Sequence, residues 1–155
     1  MISLVFISAY LICFVLACLY GLYAILVIGL PAPLIGLQIG LNAALAGGIG
    51  GGIYCLRAVY LNACVRKDWQ VTWAPWYVIR PFVSVLCGGV SYAFLKAGLL
   101  VLESGTRSDS SELGFYALAF IAGLNVDKFI GKIEDVAQAV WGIEKSRASK
   151  TKIEE

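Results

Sequence analysis

The chain has 155 residues, 60% of them hydrophobic and only 14% charged, with a mean hydropathy of +0.83. Arg57 is the first charged residue, so the first 56 positions carry no charged side chain. Most residues of a small soluble domain touch water, so this composition excludes an ordinary cytoplasmic globular domain and a disordered chain, and a net charge of only +2 argues against a nucleic-acid partner.

The first element is the apolar run from about 4 to 30. A bilayer core of ~30 Å needs about 20 helical residues, and this run exceeds that. It lacks the basic n-region of a cleavable signal peptide and is longer than a normal h-region. It reads as a retained first span. Pro31-Ala32-Pro33 then stops the helix, because proline removes a donor and restricts the residue before it. A second span follows over about 34 to 61, so the pair forms a hairpin with a short turn.

The connector contains Arg66, Lys67, Asp68, Trp69, Trp73, Trp76 and Tyr77. Aromatic residues beside basic ones mark a membrane interface. Trp69, Trp73 and Trp76 are therefore candidate lipid-interface residues, as is Arg80, whose position before Pro81 suits an anionic-lipid contact or a plain positive-inside anchor. Pro81 fits the first turn of a helix, where its missing N–H is harmless. The third span is expected from 81 to about 102.

A polar loop, Glu103 to Glu112, comes next, with Asp109 and Glu112 spaced as a capping box. The apolar run from Leu113 to Leu124 is short for a full crossing. Gly123 and Asn125 look like a helix stop and a new N-cap. Two readings compete: a fourth span over about 110 to 125 with its ends in the headgroups, or a re-entrant segment.

Charge favours four spans. Arg57, Arg66, Lys67 and Arg80 stand against Asp68 alone around the connector, and the tail holds Lys128, Lys132, Lys145, Arg147, Lys150 and Lys152. Both regions should be cytoplasmic, which requires an even number of crossings. Residues 126–155 form the tail. Val126, Phe129, Ile130, Ile133, Val136, Ala137, Val140 and Trp141 fall at the spacing of an amphipathic helix. That helix can lie on the inner leaflet with Trp141 as a lipid-interface anchor, or dock a cytoplasmic protein through 126–145.

The strongest spacing signal lies in the second span. Gly36, Gly40, Ala44, Gly48 and Gly52 recur every four residues, and Ala43, Gly47 and Gly51 form a parallel row beside them. Lipid gives helices no hydrophobic reason to associate, so they pack through close contact at small residues. The row is a helix-packing groove for a neighbouring subunit or for a helix of the same chain. Homo-oligomerisation is the favoured expectation.

Intramembrane polarity is sparse. Gln38 and Asn42 share a face of the second span, and Lys96 lies near the far end of the third. Together they are a candidate pore or polar cluster, although Lys96 can also snorkel and the two amides can simply bond between helices. No apolar run contains an internal Asp or Glu, which argues against a proton-coupled transporter or cation pump. The chain has no His, which removes His-based catalytic pairs, His-containing zinc sites and axial His haem ligation. Its five cysteines include no Cys-x-x-Cys and read as small apolar residues.

The expectation is therefore an all-α membrane protein: a four-span bundle over 1–125 and a cytoplasmic amphipathic helix with a polar tail over 126–155. No catalytic residue, cofactor or metal ligand is expected, and the chain is not expected to be an enzyme. Its partners are membrane lipids, other copies of itself and a cytoplasmic protein. The leading functional expectation is a homo-oligomeric pore or gated channel in a bacterial inner membrane. The alternative is a non-conducting anchor or sensor subunit that recruits a soluble partner, for example in a bacterial stress or phage-defence system.

Overall fold

A computed structural model describes residues 2–98 and 111–143. Every regular element among them is helical. That follows from the solvent: in a bilayer each backbone donor and acceptor must be satisfied within the protein, and a helix does this locally. Three helical stretches are long and apolar enough to cross a membrane: Ile2–Ile28, Ala32–Val65 and Val71–Lys96.

The first stretch is helix α1, Ile2–Tyr23, continued by a wider turn over Ala24–Ile28. It ends at Gly29, whose φ of +83° is one that L side chains rarely adopt. Pro31 accepts a bond from the Leu34 N–H at 2.8 Å, and a tight helical turn over Ala32–Leu37 leads into α2, Gln38–Tyr60. Half of α1 is exposed, with Phe6 at 72% and Tyr20 at 68%. Such side chains suit lipid.

Helix α3, Ala74–Lys96, begins earlier than its sequence indicates, and Pro81 lies well inside it, buried in the bundle. Tyr10 donates to the Val78 carbonyl at 3.2 Å, and Ser84 shares its one hydroxyl proton between the Arg80 and Gly123 carbonyls, each at 3.0 Å. The carbonyl that Pro81 itself frees is that of Tyr77, four residues back. Trp73 and Trp76 consequently belong to helical turns, and the connector shrinks to residues 66–70. Lys67 takes a left-handed conformation there, φ +54°, and lets the chain reverse. The expected end of the third span and residues 103–110, with Asp109, lie outside the described residues, while Ser111 and Glu112, expected in the loop, already form the first turn of the next helix.

Helix α4, Ser111–Leu124, has 14 residues, fewer than the about 20 needed to cross. Helix α5, Val126–Trp141, follows after a bend of 110°. Asn125 stands at the junction, but its side chain makes no capping bond. Its backbone bridges instead, with its N–H donating to the Ile121 carbonyl and its carbonyl accepting from the Phe129 N–H. Gly123, which reads as a stop, remains within α4. The tail beyond residue 143 lies outside the described residues.

Helix α2 is the axis of the bundle and packs against α1, α3 and α4. Successive contacts fix the directions. Asn42 of α2 meets Tyr116 of α4, and Gly50, about two turns on, meets Phe120 and Leu124, so the two run parallel. Arg80, Ser84 and Tyr92 of α3 meet Asp127, Gly123 and Phe115, so α3 runs opposite to α4. A cluster of Ile7, Leu11, Cys55, Val59 and Tyr77 closes the connector end.

Candidate functional site

The middle of the bundle is made of backbone. A methyl group on Gly47 would sit 2.7 Å from the Gly88 α-carbon and 2.6 Å from the Ser84 carbonyl oxygen. One on Gly50 would strike the Phe120 carbonyl, and one on Gly123 would strike the Gly47 carbonyl. Only residues without a Cβ allow three helices to meet this closely. Ser84 is buried here and donates to the Gly123 carbonyl at 3.0 Å, satisfying an acceptor that the end of α4 leaves open.

The two small-residue rows of α2 divide the work. Gly47 and Gly51, from the secondary row, face the α3–α4 contact. In the primary row, Gly48 faces Val85, Cys18 and Phe14, Gly52 faces Val15, and Gly40 faces the Tyr92 ring. Ala44 lies opposite Gly89, and Gly36 meets nothing within 4 Å. The groove from Gly40 to Gly52 is thus filled by helices of the same chain.

At the far end, Asn42 is fully buried. Its Nδ2 donates to the Tyr116 hydroxyl at 3.2 Å, while its Oδ1 has no partner among the described residues. Gln38, one turn away, is half-buried. Lys96 is exposed, with its ammonium 5.7 Å from the Tyr92 ring centre. Its charge is turned outward rather than into a cluster with Asn42.

At the other end lies a contact that sequence reading missed. Arg80 is buried, and its Nη1 meets Asp127 Oδ2 at 3.0 Å. The guanidinium also lies 5.2 Å from the Tyr54 ring centre and 5.4 Å from that of Trp76. Its Nε has no partner among the described residues. Aromatic faces stabilise a cation without neutralising it, so Asp127 supplies the charge balance. No periodicity announces a pair 47 residues apart; the available signal was an acid at the expected helix junction, opposite an arginine in an apolar run. Arg80, read as a lipid-interface residue, lies inside the helix packing. The carboxylate absent from every apolar run is brought to it by the α4–α5 bend.

Trp69 and Trp73, two of the remaining interface residues, pack against the Tyr77 cluster at this end. Trp69 stacks on Tyr77 and donates to the Ser3 hydroxyl at 3.3 Å. Trp73 is half-buried, whereas Trp141 is exposed near the end of α5. A cavity of about 450 Å³ opens between the last turns of α2 and the first of α3. Cys18, Cys55 and Cys87 are buried, Cys13 and Cys64 are exposed, and all five are free thiols.

No protein-family model, no curated protein and no solved structure matches this chain.

Proposed function

We propose that this protein is a non-enzymatic anchor or sensor subunit of a bacterial inner membrane, which holds α5 at the cytoplasmic surface for a soluble partner. Helix α4 makes a short fourth crossing, and the connector, both termini and α5 share the cytoplasmic side. The observation that carries this reading is the Arg80–Asp127 pair. It roots the first turn of α5 in the bundle six residues, about 9 Å at the helical rise, from the start of α3. Beyond that root Lys128, Lys132 and Gln138 are exposed and available to a partner. The filling of the α2 groove by the chain's own helices supports a bundle that needs no second copy to be complete.

The test places a photo-crosslinking amino acid at Lys132 or Gln138 in cells. A soluble protein of defined mass should be captured and should be lost when the chain is truncated after Leu124. Reconstituted liposomes should pass no ions. Ion flux without a cytoplasmic adduct would sink the proposal.

A homo-oligomeric gated pore is the second reading, and the unpartnered buried Oδ1 of Asn42 favours it, since polar groups at membrane depth face a bundle interior or a wet path. In that reading the glycine contact at Gly47 is the closed gate, and flux depends on Asn42 and Lys96.

A further inference from the structure

The cavity at the connector end has a graded lining. One wall is a single stripe of α2 and its extension: Tyr54, Ala58, Leu61 and Arg66, spaced three to five residues apart. At the connector end are Asn62, Arg66 and Thr72; further along α2, Tyr54, Ala58 and Trp76 make a mostly apolar slot. From Arg66 to Tyr54 is twelve residues, about 18 Å along a helix. Small Ala58 leaves room between the two ends. Among the described residues no acid lines the cavity, and Arg66 is its one cation. Arg66 reaches Asn62 only through a long bond of 3.4 Å, which leaves its other donors available.

A polar, cationic end beside a mostly apolar slot matches an amphiphile that carries an anionic headgroup. The volume lies within the range of specific small-ligand sites, about 300–1,000 Å³. It accommodates a headgroup phosphate and the first part of one acyl chain, with the remainder of the chain in the bilayer. Arginine pairs well with phosphate oxygens, and tryptophan is at home at the headgroup level.

We propose that this cavity binds one anionic phospholipid of the surrounding leaflet, with its phosphate at Arg66 and an acyl chain against Trp76 and Tyr54. Tyr54 and Trp76 also flank the Arg80 guanidinium, whereas Arg66, Asn62 and Thr72 take no part in the Arg80–Asp127 contact, and lipid binding does not depend on whether α5 recruits a partner.

The experiment is native mass spectrometry of the full chain in detergent, offered phosphatidylglycerol, phosphatidylcholine or inorganic phosphate. The wild type should retain one phosphatidylglycerol per chain at least five-fold over phosphatidylcholine, and inorganic phosphate should not displace it. Arg66→Gln changes an exposed residue and should abolish that preference. Ala58→Phe fills the slot and should reduce retention of both lipids. Arg57→Gln, also exposed but outside the lining, should behave as wild type. Equal retention of both lipids by the wild type, or an unchanged preference in Arg66→Gln, overturns the proposal. Displacement by inorganic phosphate would assign the Arg66 end to a free anion and overturn it equally.

Discussion

Gly123 of α4 lies against the backbone of Gly47 in α2, so close that a methyl group on Gly123 would occupy the Gly47 carbonyl. Backbone cannot step aside as a side-chain tip does. Gly123→Ala should therefore cost more than an ordinary overpacking change, which runs at about 1–3 kcal/mol. We expect its melting temperature, followed by size-exclusion chromatography of a fluorescent fusion in detergent, to fall by several degrees. Gly114→Ala and Gly131→Ala, with nothing within 4 Å, should melt as wild type. Equal melting of Gly123→Ala and Gly131→Ala would show that the α2–α4 contact is misplaced.

Gly36 and Gly48 belong to one sequence row but differ in surroundings. A methyl group on Gly48 meets Val85 at 2.7 Å and Cys18 at 3.0 Å, whereas Gly36 is open. Gly36→Leu should leave the folded yield unchanged, and Gly48→Leu should reduce it severely. On a native detergent gel, Gly48→Leu would aggregate rather than run as an intact smaller species. A clean shift from oligomer to well-folded monomer would instead assign the groove to a neighbouring subunit.

The Arg80–Asp127 pair lends itself to a double-mutant cycle. Asp127→Asn leaves a buried guanidinium without its counter-charge. Removing one partner of a fully buried pair costs about 3–5 kcal/mol, and the 62% exposure of the Asp127 side chain lowers this to about 1–3 kcal/mol. Arg80→Met with Asp127→Asn should recover part of the loss, because no unpaired buried charge remains. If the two changes add without coupling in a denaturation series, the pair does not root α5.

Tyr116 supplies the one hydrogen-bond partner that the fully buried Asn42 side chain has among the described residues. Tyr116→Phe strands that amide and should cost about 1–2 kcal/mol. In the Tyr116→Phe background, Asn42→Ala should cost much less than it does in the wild type. A wet path around Asn42 would erase this dependence, because water would replace the hydroxyl. The comparison thus also separates a closed bundle from a pore.

Much of the architecture is legible along the chain because its solvent dictates it. Apolar runs must become helices in lipid, and spacing by four places Gly40, Ala44 and Gly48 on one face whatever they touch. Position along the chain misleads where a neighbour changes the rule. Pro81 reads as a helix start, yet α3 continues through it with the ring buried against neighbouring helices. Arg80 reads as an interface charge because Asp127 is 47 residues away.

The amino-acid sequence alone set the long apolar helices, compatible with an integral membrane protein, and the small-residue faces, since each depends on local composition and helical period. Tertiary structure decided which face meets which helix. It gave the deepest contact to Gly47 and Gly123, left Gly36 open, and joined Arg80 to Asp127 across the α4–α5 bend. Periodicity places residues on a helix face but carries no information about the partner opposite; that depends on how closely two backbones can approach and which buried charge must be balanced.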